Sequence, residues 1–228
     1  MSTSWFDTLG VFDLETTGID VETSRIVSAH VGVIGADGES IERTDWLADP
    51  GIDIPVQASA VHGITTEWAR AEGRSAREVV GEIVAAVRSL LARGLAVTIY
   101  NAPYDLTLLN REALRHGIVP LMSPSPIVDP LVMDKAVDRY RKGKRTLEVA
   151  AQLYGAELLD AHDAGADAIA AGRVAQAIAR QYPQLVGSGA AELHLLQVGW
   201  CRDQAASFQE YRRRTDPSFV ASGGWPER

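Results

Sequence analysis

Leu9-Gly-Val-Phe-Asp-Leu-Glu-Thr-Thr-Gly18 is the stretch on which the fold turns. It is apolar and β-compatible up to Leu14, and Thr16-Thr17-Gly18 stops it, so it reads as a short strand. Asp13 and Glu15 are two residues apart and therefore share one face of that strand. Two neighbouring carboxylates on a strand that otherwise looks buried repel each other and are costly to desolvate. A divalent cation resolves the conflict, because Mg²⁺ and Mn²⁺ take carboxylate oxygens. A wet strand face would explain a lone Asp-x-Glu more simply. The hydroxyls and backbone N–H groups of the adjoining turn favour a site.

Outward from this strand, Ile26–Ile34 is rich in valine and isoleucine. Ala36-Asp37-Gly38-Glu39 makes a hairpin turn into Ser40–Leu47, completing a three-stranded antiparallel meander. A loop holding Pro50 and Pro55 follows. From Ser75 to Arg93 the apolar residues Val79, Val80, Ile83, Val84, Val87, Leu90 and Leu91 recur at helical spacing. Leu95–Tyr100 reads as a buried strand, Tyr104–His116 as a helix stopped by Gly117, and Pro126–Asp129 as a strand end. Asp129-Pro130 has the form of an N-cap followed by proline in the first turn. Further helices are expected over Leu131–Arg139, Leu147–Tyr154 and Asp163–Tyr182. Strands first and alternating strands and helices afterwards predict an α/β fold, a mixed sheet flanked by helices. Gly187-Ser-Gly189 reads as a linker to a C-terminal amphipathic helix over Ala190–Thr215, with Leu193, Leu196, Trp200, Phe208 and Tyr211 near helical period. That helix is expected to pack on its own domain, and the residues beyond it to form an irregular tail.

Three further groups carry chemistry. Asp105 follows the buried strand through Asn101-Ala-Pro-Tyr104 and falls at the start of a helix, where an acid also suits the macrodipole. His162 and Asp167 in His-Asp-Ala-Gly-Ala-Asp open the long helix, close enough to reach one cleft. The imidazole suits a general base, since its unperturbed pKa lies near operating pH. Each element alone is ordinary; their order along the chain is not.

That order resembles the DEDDh, or DnaQ-like, 3′–5′ exonucleases, a family that includes the proofreading epsilon subunit of bacterial DNA polymerase III, ribonuclease T and the oligoribonucleases. The resemblance rests on Val-Phe-Asp13-Leu-Glu15-Thr-Thr-Gly, Asn-Ala-Pro-Tyr-Asp105-Leu and His162-Asp-Ala-Gly-Ala-Asp167, with Val61-His62-Gly63-Ile64-Thr65 similar to a segment common between the first two motifs. It covers roughly Thr8–Tyr182. It implies a ribonuclease H-like fold, with an exonuclease domain over 1–185 and a C-terminal helix and tail over 186–228. It implies two divalent cations, Mg²⁺ or Mn²⁺, on Asp13, Glu15, Asp105 and Asp167, with Asp13 bridging both and His162 as general base. Leu14, Thr16, Thr17, His62 and Asn101 would contact the terminal nucleotide. The implied partners are single-stranded or frayed nucleic-acid 3′ ends, DNA before RNA, and a polymerase or repair protein. The alternatives are an exoribonuclease, or an interaction subunit with weak catalysis. Asp129 matches an aspartate common in the family, but its N-cap reading suffices and it stays outside the metal set.

The remaining composition bounds these expectations. With 228 residues and 46% hydrophobic content, the chain can bury a sizeable core. Its longest apolar stretch, Ile83–Tyr100, is broken by Arg88 and Arg93, so no membrane span is expected. The N-terminus lacks the pattern of a secretory signal, and Cys201 is the only cysteine; the sequence reads as cytoplasmic. The net charge of −8 argues against a nucleic-acid binder, but two bound cations would offset about four negative charges. Two basic runs, Arg139–Arg145 and Arg212–Arg214, read individually as solvated faces. Phosphate-loop, dinucleotide, zinc-helix and nucleophile-elbow motifs are absent.

Overall fold

In the computed structural model, which describes residues 4–158, 162–184 and 189–228, the opening stretch is strand β1 (Leu9–Thr16) inside a six-stranded sheet. β2 (Ile26–Ile34) and β3 (Ser40–Asp49) continue it as an antiparallel meander. β4 (Arg74–Ser75) runs parallel to β3 at one edge, while β5 (Ala96–Thr98) joins β1 in parallel and β6 (Ile127–Val128) joins β5 at the other. The sheet order is β4-β3-β2-β1-β5-β6. In chain order the helices are α1 (Val56–His62), α2 (Thr66–Glu72), α3 (Ala76–Ala92), α4 (Ala102–Arg115), α5 (Pro130–Val137), α6 (Leu147–Tyr154), α7 (Ala164–Gln181) and α8 (Ala190–Arg212). The mixed sheet flanked by helices is the expected ribonuclease H-like fold.

Alternation along β1 sorts its side chains between two cores. Phe12 and Leu14 pack with Val80, Ile83 and Val84 of α3 and with Leu106 and Leu109 of α4. Leu9 and Val11 pack with Val174, Ala175 and Ile178 of α7. Each such large side chain, fully buried, contributes roughly 1.5–3 kcal/mol relative to exposure. Asp13 and Glu15 share the parity of Leu9 and Val11, so the period of two sends both toward α7. Helix α7 comes unusually close because its contact face is built from alanine and glycine. A Cβ at Gly172 would lie 2.5 Å from Ile34 Cδ1 and 2.7 Å from Val11 Cγ1.

The loop expected between Pro50 and Ser75 instead holds α1, α2 and the short β4. These helices lack a long apolar stripe to betray them; α1 buries no residue at all. What organises them is capping. Gly63, at φ 75°, ends α1 in the left-handed region that glycine tolerates, and Thr65 starts α2 by accepting the Trp68 N–H at 3.2 Å. Ile64 between them is buried with Val27, Ile54 and Ala69.

Helix α8 forms as expected and packs on α5 and β6; of its predicted stripe, Leu193 and the partly buried Trp200 face the core. Leu193 and Gln197 are buried, whereas Leu196, Phe208 and Tyr211 are exposed. Gln197 earns its burial by hydrogen bonds: its Nε2 donates to the Ile127 carbonyl at 3.0 Å and its Oε1 accepts the Asp129 N–H at 2.7 Å. The tail is irregular but docked, with Trp225 buried in the main core. The expected boundary at 185/186 and the linker residues Gly187 and Ser188 lie outside the described residues.

Candidate active site

Four carboxylates meet at one end of the sheet. Asp13 and Glu15 come from β1, and Asp167 from the first turn of α7. One oxygen of each of these three lies within 4.8 Å of the others. Asp105, in the first turn of α4, is 4% exposed and is the largest source of charge repulsion felt by Asp13. Asn101 starts that helix in the left-handed region, at φ 64°. Its backbone N–H and that of Ala102 both donate to the Asp129 carboxylate at 3.0 Å.

Burial and mutual repulsion govern the protonation of this group. Burial pushes the Asp13 carboxyl well above the usual range, and Asp105, Glu15 and Asp167 push it further. Burial, then Asp167 and Asp163, raises Glu15 to about 8. Asp105 is raised by burial, although its own N–H and that of Leu14 act in the opposite direction. Asp167 is raised by burial against the opposing effects of the His162 N–H and ring. A cluster of hard oxygen donors that resists ionising together fits a divalent cation of the Mg²⁺ or Mn²⁺ type.

The remaining predicted residues are placed around this cluster. His162, at φ 71°, sits on the turn before α7; its N–H reaches Asp167 Oδ1 at 3.4 Å and its Nε2 lies 3.5 Å from Glu148 Oε1. His62 accepts the Ile64 N–H on Nδ1 at 3.1 Å, and its buried Nε2 has no hydrogen-bond partner among the described residues. Burial lowers the His62 pKa, and the Thr16 carbonyl and His162 are among its neighbours. Thr16 donates its hydroxyl to the Gly18 carbonyl at 2.8 Å. Thr17 is buried, with Oγ1 accepting the Arg25 N–H at 2.9 Å. The Leu14 side chain lies in the core, so only its backbone faces the site. The Asn101 side chain makes no capping bond.

Three contributors were not legible as site residues. Asp163 caps α7, its Oδ1 accepting the Ala166 N–H at 2.9 Å, and adds negative charge to Asp13, Glu15 and Asp167. Its position at a helix start was the available signal. Tyr104 joins α4 to the β1 turn, its hydroxyl 2.6 Å from Thr16 Oγ1 and bonded to the Gly18 carbonyl. Glu148 meets His162 from α6. No local pattern marks these last two, since both act across long stretches of chain.

The basic run at 139–145 is a solvated face only in part: Arg139, Lys142 and Lys144 are exposed, but the other two are not. Arg141 and Arg145 both bind the buried Asp134, Arg145 Nη1 at 2.6 Å. Paired with that carboxylate, the two guanidiniums hold the segment after α5 against the domain. Cys201 is half-buried, and burial pushes its thiol up, as suits a packed group. No helix among the described residues is long and apolar enough to cross a membrane.

Comparison with known proteins adds to this geometry. Residues 11–175 match the family model RNase_T, described as Exonuclease. The chain is 28% identical over 186 residues to a DNA polymerase III subunit epsilon-like protein of Rhodobacter capsulatus, covering 80% of this chain and 25% of that protein. It is 25% identical over 177 residues to a PolC-type DNA polymerase III of Lacticaseibacillus paracasei, covering 78% of this chain and 12% of that protein. It thus spans a quarter or less of these curated relatives. The fold is similar to that of E. coli exonuclease I in complex with a dT13 oligonucleotide, with TM-score 0.64 and 20% identity over 78% of this chain and 42% of that one.

Proposed function

The chain belongs to the RNase_T exonuclease family, as a DnaQ-like 3′–5′ exonuclease domain, and we propose that it removes nucleoside monophosphates from the 3′ ends of DNA. The observation that carries this reading is the convergence of Asp13, Glu15 and Asp167 oxygens within 4.8 Å, with Asp105 beside them. The two relatives are named for DNA polymerase III, and the exonuclease I neighbour is in complex with a dT13 oligonucleotide, which supports DNA. Single-stranded or frayed ends and a polymerase or repair partner belong to the same proposal.

Two divalent cations on Asp13, Glu15, Asp105 and Asp167 would supply charge neutralisation at the phosphate and a more acidic water. In the hydrolysis, a water oxygen bonds to the terminal phosphorus and the P–O3′ bond to the preceding nucleotide breaks. His162 takes the proton of that water, and the departing O3′ takes a proton from solvent to become the new 3′-hydroxyl. The Glu148 carboxylate lies 3.5 Å from the ring Nε2 and orients the imidazole. The Thr16–Gly18 turn, held by Tyr104, together with His62 and Asn101, positions the terminal nucleotide. The His62 ring, with Nδ1 accepting the Ile64 N–H and the Thr16 backbone beside it, supports that turn from behind.

The test is a time course on 5′-labelled single-stranded DNA and RNA of matched sequence, in Mg²⁺, Mn²⁺ and EDTA, with Asp13→Ala alongside. A metal-dependent ladder shortening from the 3′ end of DNA, absent in the variant, is expected. Faster shortening of RNA would replace the DNA reading with an exoribonuclease. An undigested pair of substrates, with metal bound, would replace it with a partner-dependent subunit.

A further inference from the structure

The segment that follows α8 reaches back across the molecule and grips α4 at Thr107 and Asn110. Trp225 is buried, its ring 4.9 Å from that of His194, and its Nε1 donates to Asp129 Oδ2 at 3.3 Å. Two residues on, Glu227 accepts the Asn110 amide at 2.7 Å, and the Arg228 N–H donates to Thr107 Oγ1 at 2.9 Å. At 3.6 residues per turn, positions 107 and 110 lie on the side of α4 away from 105. The clasp therefore touches the back of the helix while Asp105 faces the cluster.

Asp129 is the link between Trp225 and the front of α4. Its carboxylate is fully buried and collects five N–H donors: Asn101 and Ala102, Leu131 and Val132, and the Trp225 indole. The first two fix the left-handed turn that begins α4, four residues before Asp105. The next two cap α5. The indole closes the carboxylate off and completes its hydrogen bonds, which matters because a buried carboxylate short of donors is costly. Two helix starts thus depend on one carboxylate, and that carboxylate depends on a residue 96 positions further along the chain. Residue 225 also lies outside the 11–175 stretch that matches the family model.

We propose that Trp225 is a positioning residue for the nuclease site: through Asp129 it sets the turn from which Asp105 is presented to the other carboxylates. This rests on the metal-dependent nuclease reading above. Groups that orient ligands from behind a metal site typically change affinity or activity by about 10–100-fold when removed.

The experiment compares the full chain with Trp225→Phe, which keeps an aromatic ring in the core but has no N–H, and with Trp225→Ala. Thermal melting reports folding, calorimetry with Mn²⁺ alone reports the carboxylate cluster, and amide hydrogen exchange reports residues 101–105. Trp225→Phe is expected to melt near the parent, to bind Mn²⁺ about tenfold more weakly, and to exchange faster at 101–105. Trp225→Ala is expected to show the same changes, enlarged, with a lower melting temperature. Parent-like Mn²⁺ binding, or parent-like exchange at 101–105, in a folded Trp225→Phe protein would overturn the proposal. The underlying reading fails separately, through Asp13→Ala: if that variant bound Mn²⁺ as the parent does, the carboxylates would not be the metal site, whatever Trp225 does.

Discussion

Gly172 of α7 and Ile34 of β2 approach so closely that a Cβ on the glycine would come within 2.5 Å of the isoleucine Cδ1. The same absent carbon would crowd Val11, two residues before Asp13 on β1. The closeness of this packing sets how near the first turn of α7 comes to the carboxylates of β1, and it yields the first prediction. Gly172→Ala should cost about 1–3 kcal/mol by overpacking, lowering the melting temperature by about 2–4 °C per kcal/mol. It should also weaken Mn²⁺ binding by moving Asp167 away from Asp13 and Glu15. A melt and a titration check both; an unaltered melt would show that α7 has room to spare.

Removing a carboxylate from the cluster separates activity from stability. Asp13→Ala or Asp167→Ala should lower the cleavage rate by at least about 10³-fold, roughly 4 kcal/mol of barrier. In EDTA the same variants should melt at or above the parent, because a source of buried repulsion has gone. Near-normal cleavage by either variant on a clean background would remove it from the site.

His162 should divide rate from metal binding in the other direction. Its ring carries no share of the expected metal set, so His162→Ala should lose about 10²–10⁴-fold in rate while Mn²⁺ binding is largely kept. Unchanged turnover between pH 6 and 9 would take His162 out of the base role.

The metal-free protein should grow less stable as pH rises. Glu15 titrates near 4.5 when unfolded and near 8 when folded, chiefly because it is buried. Between those values the folded chain holds a proton that the unfolded chain has released, so stability is greatest below the lower value and falls as pH rises toward the upper. Asp13, Asp105 and Asp167 are raised too and add to the fall. Glu82, lowered to about 2 first by its bond from Arg74, acts with the opposite sign, but its contribution is lost only as pH falls below about 4.5 and is constant above that; His62 and His194, lowered chiefly by burial, offset part of the fall below about pH 6.5. Melts in EDTA should therefore decline from about pH 5 to pH 8, and excess Mg²⁺ should flatten the decline. A rise across that interval in EDTA would contradict the assignment of buried, mutually repelling carboxyls.

Tyr104 tests the nucleotide side of the site. Tyr104→Phe leaves Thr16 and the Gly18 carbonyl without their cross-helix partner, a change on the order of 1 kcal/mol. Because the turn is proposed to hold the nucleotide and not the cations, KM should rise severalfold with kcat nearly constant. Steady-state kinetics on a labelled oligonucleotide decide it, since a fall in kcat alone would assign the hydroxyl to the chemistry.

Much of this molecule was readable residue by residue because the signals are local. The alternation in Leu9–Glu15, the helical stripe of Val79–Leu91 and the Asp129-Pro130 cap each arise within a few residues, where backbone geometry dictates periodicity and capping. The order of Asp13, Glu15, Asp105, His162 and Asp167 could likewise be read directly from the chain, and with it the family. Helices α1 and α2 were not legible, since they are short and held by caps and by β3 in place of an apolar stripe. Of the buried face of α8, Leu193 and Trp200 were legible, but Gln197 was not, being interior because Ile127 of β6 and the adjoining Asp129 supply its hydrogen bonds. The tertiary structure alone decided that Gly172 brings α7 against β1, that Arg141 and Arg145 serve Asp134, and that Trp225 closes over Asp129. These are contacts between residues far apart in sequence. They exist because packing removes specific groups from water and leaves each needing a partner, and no local pattern records which distant group that partner will be.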